Sequence, residues 1–213
     1  GGDARDGGCA RADGARHALG PPSPEMRARL ACVKERDADL EPHERVALPA
    51  WLYAEVMSGD LTNAPAVLEK SNDRAPLDLR VNTLRGSLAQ ARQKLADEGV
   101  RSRPLTKVPL ALRVKGTGQI TSGVVFQSGR VEIQDAGAQI AAGLCQAQPS
   151  QTVLDFCAGA GGKTLALAAQ MQNKGRLYVH DSDPKRLRPM AARVKRAGVG
   201  IVRQMEGDAV AGL

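Results

Sequence analysis

Aromatic side chains make up only 2% of these 213 residues: one tryptophan, two tyrosines and two phenylalanines. A chain so poor in rings cannot hold nucleobases mainly by stacking, so any nucleic-acid contact must rest on charge and hydrogen bonding. Cysteine is equally scarce. Cys9, Cys32, Cys145 and Cys157 stand far apart, with no C-x-x-C pair and no histidine at ligand spacing. That argues against a metal site or a disulfide framework and for a reducing compartment. No apolar run reaches the roughly 18 residues of a membrane span, and Gly1 to Pro24 lacks the apolar core of a leader. The expectation is a soluble, cytoplasmic protein without a membrane partner.

What is present is positive charge. Thirty Lys and Arg oppose 23 Asp and Glu, a net +7, which favours a polyanionic partner. Residues 1–24, rich in glycine, alanine and arginine and ending G-P-P-S-P, read as a disordered tail. Residues 25–75 read as a helical segment: Leu30, Val33 and Leu40, then Val46, Trp51, Leu52 and Val56, recur at helical spacing, with Trp51 as packing anchor.

Residues 76–130 read as a small basic α/β module. Leu77 to Thr83 alternates like a strand, Ser87 and Gln90 form a capping box, and Gly99 ends the helix they open. Leu110 to Val114 and Gly123 to Phe126 read as further strands. Ten basic residues (Arg80, Arg85, Arg92, Lys94, Arg101, Arg103, Lys107, Arg113, Lys115, Arg130) face three acidic ones between Asp78 and Arg130. Such an imbalance predicts an RNA-contacting surface, since Lys and Arg neutralise phosphates whatever the base sequence.

Residues 131–213 carry the chemistry. After the extended Val131 to Gln134, Asp135 caps a small-residue helix thought to bury Cys145. Thr152 to Phe156 is then a strand, followed by a glycine-rich elbow at Gly159, Gly161 and Gly162 and a helix from Lys163. Strand, tight turn and helix build a cofactor site, because the backbone approaches the ligand closely and the helix start offers free N–H groups. A Walker loop would need glycine at Cys157, and a dinucleotide fingerprint would need it at Thr164. Asp155 ends the first strand, and Asp181 follows a second apolar run, Leu177 to Val179, at the spacing of a ribose-binding acid. This combination suits an adenosine with a charged amino-acid tail, S-adenosylmethionine. Asp183 and Pro184 open a basic helix running to Gly198, within which Pro189 predicts a kink or a short first segment, and Ile201 to Met205 reads as a third strand with Asp208 beyond it.

V-E-I-Q-D-A-G-A-Q (131–139), L-D-F-C-A-G-A-G-G-K-T (154–164), H-D-S-D-P-K-R-L (180–187) and G-D (207–208) together resemble the Sun/RsmB family of RNA cytosine-5 methyltransferases. L-R-V-N-T-L (79–84) looks like the start of that family's RNA-binding module, and L-P-A-W-L (48–52) like the helical element before it. The resemblance implies an α/β fold: a partial Rossmann-like methyltransferase sheet preceded by the RNA-binding module and a helical segment. It implies S-adenosylmethionine held by Cys157, Ala158, Gly159, Ala160, Gly161, Gly162 and Lys163, with Asp181 on the ribose and Asp208 beside the adenine. The partner implied is RNA, ribosomal RNA above all. The family loop usually reads C-A-A-P-G-G-K, and Gly159 and Ala160 here replace its alanine and proline.

Family enzymes add a cysteine thiolate to carbon 6 of cytosine, making carbon 5 nucleophilic toward the sulfonium methyl. The P-C-S and T-C-S motifs that carry the two family cysteines do not occur in these residues, so no catalytic residue is assigned. The expectation is an amino-terminal portion, inactive alone and with the edge of its first cofactor-fold strand exposed. The rival reading is a non-catalytic RNA-binding protein with a vestigial cofactor fold.

Overall fold

The computed structural model describes residues 23–27, 40–116 and 119–205. It separates into two compact units, Gly1–Ala75 and Pro76–Leu213.

In the first unit, α1 (Pro42–Arg45), α2 (Ala50–Ser58) and α3 (Ala64–Ser71) follow one another. Glu41 and Glu44 close a capping box at the start of α1, the Glu41 N–H donating to the Glu44 carboxylate at 2.9 Å. Asn72 Nδ2 ties the end of α3 back to the Arg45 carbonyl at 2.8 Å. Val46 and Ala64 are buried, but Trp51 is 71% exposed and is not the packing anchor expected of it. On helix α2 Leu52, Tyr53 and Val56 are half-buried and none is fully buried, so the helical spacing marks only a shallow inner face. Residues 1–22 and 28–39, with the expected tail and the heart of the first helix, lie outside the described residues.

The second unit begins with β1 (Asp78–Val81), α4 (Leu88–Asp97), β2 (Ser102–Leu105), β3 (Val108–Val114), α5 (Val124–Gln127) and β4 (Val131–Ile133). The strands form one antiparallel sheet in the order β2-β3-β1-β4, with Leu79 opposite Leu112 on one side and Ile133 on the other. This βαββαβ arrangement takes in Val131–Ile133, past Arg130. Ser87 accepts from the Gln90 N–H and Gln90 returns the bond, as the capping-box spacing requires. Leu79, Val81, Leu95, Leu112 and Val131 make its core.

Two local readings change. Strand β2 carries Arg103 and Pro104 on a sheet edge, where charge and proline guard against further pairing and hide the alternation a strand usually shows. The β-branched Val124-Val125 run is helical, because the Glu98 carboxylate accepts the Val125 N–H at 2.8 Å and opens a helical turn there.

The chain continues through α6 (Ala136–Leu144), β5 (Thr152–Asp155), α7 (Gly162–Gln170), β6 (Arg176–Val179), α8 (Pro184–Leu187), α9 (Met190–Ala197) and β7 (Val202–Gln204). Strands β5, β6 and β7 are parallel and adjacent in that order, so β5 lies at the edge, with Leu154 and Phe156 exposed. Asp135 caps α6 by accepting the Ala138 N–H at 2.8 Å. Cys145, expected inside, is exposed one residue past the end of α6. Pro189 separates α8 from α9 because it has no N–H for the helical ladder. Leu165, Ala168, Met171 and Leu177 form the core beneath.

The two sheets are joined through α9. Glu132 of β4, 1% exposed, accepts from Arg193 Nη2 at 3.0 Å and from Arg196 Nη2 at 2.6 Å. The Arg196 guanidinium also lies 4.0 Å from the Phe126 ring centroid. Asn82 Nδ2 bridges the Gly129 and Ala197 carbonyls, each at 2.9 Å. Gly129, at φ 70, brings its backbone so close to α9 that a Cβ would run into the Arg196 carbonyl oxygen.

Candidate functional site: a glycine bend and its acidic partner

The bend between β5 and α7 is fixed by backbone bonds across the two parallel strands. The His180 N–H donates to the Asp155 carbonyl at 3.0 Å, and the Ala158 N–H donates to the His180 carbonyl at 2.9 Å. Gly159 and Gly161 sit at φ 50 and φ 85, which side-chain-bearing residues rarely adopt. A Cβ on Gly161 would also come within 2.9 Å of Met190 Cγ, so glycine is required there for space as well as for φ.

Asp181 points into this bend. One carboxylate oxygen accepts the Gly159 N–H at 2.9 Å and the other accepts the Asp183 N–H at 3.1 Å. The side chain is buried, and Arg186 approaches it to 3.8 Å. These donors hold its carboxyl below the usual range: the Asp183 N–H contributes most, burial opposes, and Gly159, Arg186 and His180 add to the lowering. Asp181 therefore presents a carboxylate anion to the bend at neutral pH.

Helix α7 begins at Gly161 with no side chain capping its first turn, which leaves N–H groups there for a ligand's anionic end. Of the loop residues, Ala158, Gly159 and Gly161 are buried, Gly162 is half-buried, and Cys157, Ala160 and Lys163 are exposed. The thiol of Cys157 is on the surface. Thr164, where a dinucleotide fingerprint would have glycine, is fully buried and donates its hydroxyl to Asp155 at 2.7 Å. One oxygen of Asp155 is thus committed to bracing α7. Asp208 lies outside the described residues.

Sequence reasoning passed over three neighbours of the bend. Arg193 Nη1 donates to the Ala160 carbonyl at 2.8 Å, pinning the loop from α9. Gln134 Nε2 lies 3.7 Å from where a Cβ on Gly162 would stand. Arg186 brings positive charge beside Asp181, and its place one turn into the helix after Asp183 was the signal available. Among the ten basic residues of the preceding module, seven are exposed: Arg85, Arg92, Lys94, Arg101, Arg103, Lys107 and Lys115. Arg80 is 3% exposed and cannot contribute to a solvent-facing phosphate surface; Arg113 is held by Asp78 at 2.7 and 2.8 Å. Arg80 belongs to a strand buried on both faces, whereas Arg113 is half-buried with its charge taken up by Asp78. Among the described residues, no group of three His, Cys, Asp or Glu could hold a metal, and no helix is long and apolar enough to cross a membrane.

A parallel sheet with this bend after its first strand and an acid after its second, joined to a βαββαβ module, is a methyltransferase fold in the α/β class. Two family models match the chain: the RsmF/B-like methyltransferase ferredoxin-like domain over residues 48–121, and 16S rRNA methyltransferase RsmB/F over residues 142–211. The chain belongs to this RsmB/RsmF family. It is 36% identical over 138 residues to a Synechocystis protein named "Probable ribosomal RNA small subunit methyltransferase B", covering 64% of this chain and 31% of that one. It is 31% identical to ribosomal RNA small subunit methyltransferase B of Citrobacter koseri, covering 75% and 37%. The chain thus spans about a third of the length of these curated relatives. A methyltransferase homolog protein from Pyrococcus horikoshii superposes with TM-score 0.70 at 26% identity, covering 77% of this chain and 54% of that one. NSun6 from the same organism, solved with SFG, has the same fold at TM-score 0.67 and 16% identity, covering 76% and 66%.

Proposed function

We propose that this chain is the RNA-gripping and cofactor-holding part of an S-adenosylmethionine-dependent methyltransferase that modifies carbon 5 of cytosine in ribosomal RNA. The observation that carries the reading is the Asp181 carboxylate, ionised and turned into a glycine bend whose following helix begins uncapped. A ribose offers hydroxyl donors to such a carboxylate, and an amino-acid carboxylate suits the free N–H groups at the start of α7. When bound, the cofactor supplies an electrophilic methyl group on sulfonium. Cys157, Ala158, Gly159, Ala160, Gly161, Gly162 and Lys163 would hold its methionine end, Asp181 its ribose and Asp208 its adenine. The names of the relatives, and the S-adenosylmethionine analogue in the NSun6 structure, support this cofactor and substrate.

The basic side chains exposed on the β2-β3 side of the antiparallel sheet would meet RNA phosphates, and the Glu132–Arg193–Arg196 cluster would hold that surface in register with the bend. Neither Cys145 nor Cys157 stands in the family's nucleophile motif, so methyl transfer belongs to residues other than these, and the 213-residue chain alone is inactive.

Calorimetry with S-adenosylmethionine tests the reading. The chain should bind it weakly, and Asp181→Ala should reduce affinity about tenfold or more, the worth of charge-assisted hydrogen bonds. No heat at millimolar cofactor, or unaltered affinity in Asp181→Ala, would refute the cofactor assignment. Transfer of labelled methyl to ribosomal RNA by the purified chain would refute its inactivity.

A further inference from the structure

Ala160 stands between Gly159 at φ 50 and Gly161 at φ 85. Glycine takes either sign of φ about equally, so the local sequence does not hold the peptide unit joining Ala160 to Gly161 in one orientation. That unit leads directly into α7, which starts at Gly161 with no side-chain cap. Because the peptide is planar, a tilt of it would turn the first N–H groups of the helix away from the bend.

The unit is held at both of its polar atoms. The Gly161 N–H donates to the Ala158 carbonyl at 2.9 Å, within the loop. The Ala160 carbonyl accepts from Arg193 Nη1 at 2.8 Å, from α9. Met190, three residues before Arg193 and so on the same side of α9, takes the space that a Cβ on Gly161 would need.

Arg193 is itself aimed. Its Nε and Nη2 donate to one oxygen of Glu132, at 3.3 and 3.0 Å, and the other Glu132 oxygen takes Arg196 Nη2 at 2.6 Å. A guanidinium is planar with its donors fixed relative to one another, so the edge that Glu132 engages decides where Nη1 points. The two arginines sharing this carboxylate thus differ in reach: Arg196 turns to the Phe126 ring, and Arg193 reaches the bend. We propose that Arg193 is a positioning residue for the cofactor. By fixing the Ala160–Gly161 peptide it presets the start of α7, and the affinity of the bend comes to depend on Glu132, a carboxylate of the antiparallel sheet. The proposal rests on the reading of the bend as an S-adenosylmethionine site for the identity of the ligand, not for the pinning itself.

Two readouts on Arg193→Lys test it: calorimetric affinity for S-adenosylmethionine, and amide hydrogen exchange followed by NMR. Lysine keeps the charge beside Glu132 but has no fork, so its ammonium stays on the carboxylate and the Ala160 carbonyl goes free. Affinity should fall about tenfold and exchange of the Gly161 N–H should quicken about tenfold, the worth of one charge-assisted hydrogen bond. Leu177, in the core of the parallel sheet, should exchange as before. Arg193→Met should lose at least as much, because the geometry and not the charge is at fault. Asn82→Ala loosens the other end of α9 without touching the bend, so it should lower the melting temperature and leave both readouts within about twofold. Should it unfold, the parent chain in urea at the stability of Arg193→Lys takes its place. Parent-like affinity or parent-like Gly161 exchange in Arg193→Lys, an equal loss in the Asn82→Ala or urea control, or unfolding of both Arg193 variants would overturn the proposal. Faster Gly161 exchange in a chain that binds no S-adenosylmethionine would refute the cofactor reading alone; cofactor binding that Arg193→Lys leaves unaltered would refute the positioning role alone.

Discussion

Truncating Glu132 to alanine removes the carboxylate that Arg193 and Arg196 of α9 share. Glu132 is 1% exposed and accepts from Arg193 Nε at 3.3 Å, Arg193 Nη2 at 3.0 Å and Arg196 Nη2 at 2.6 Å. Without it those two guanidiniums, with side chains 21% and 19% exposed, keep their desolvation cost and lose their counter-charge. Breaking a buried ion pair by deleting one partner costs about 3–5 kcal/mol. Partial exposure of the arginines argues for the lower end, whereas loss of the charge that steadies buried Arg80 argues for the upper. The expectation for Glu132→Ala is a loss of about 3–4 kcal/mol in urea unfolding. Replacing Glu132, Arg193 and Arg196 together by methionine should recover at least half of it, because an apolar cluster of similar volume carries no unpaired charge. A loss below about 1 kcal/mol in Glu132→Ala, or no recovery in the triple variant, would show that the two sheets are joined by other contacts.

Gly129→Ala should cost more than about 3 kcal/mol, or prevent folding, because φ 70 and the Arg196 carbonyl both oppose a Cβ; an unchanged melting temperature would contradict that close approach. The Asp181 carboxyl titrates lower in the folded chain than in the unfolded one. Its contribution is therefore complete above the unfolded value near pH 4 and falls away as pH drops through the depressed folded value. Urea midpoints from pH 6 downward should consequently decline less steeply in Asp181→Asn than in the parent chain below about pH 4; parallel curves would mean the carboxylate is not held by the bend.

Much of the candidate site was legible because its signals are local. Gly159 and Gly161 announce backbone angles that other residues avoid, and Asp181 follows its strand at a spacing set by one helix and one return. Asp135, Ser87 and Pro189 act on neighbours within four residues, so helix starts and the α8–α9 break could be placed in advance. Residues whose role depends on distant covering layers were misread. Arg80 alternates with Leu79 and Val81 as a solvent-facing residue should, yet β1 is buried on both faces. Cys145 and Trp51 sit in helical patterns that promised burial, and both are exposed.

The order of residues alone determined the two kinds of fold, the bend and its acid, and the basic character of the first module, because each follows from periodicity, from φ preference or from charge. Only the tertiary structure decided which charges meet solvent. Packing α6 and α9 against the antiparallel sheet turned Glu132 into a clamp and Arg80 into a buried donor with an unmet hydrogen. Contacts between residues some 60 positions apart leave no periodic trace in the chain, since they depend on how completed layers stack.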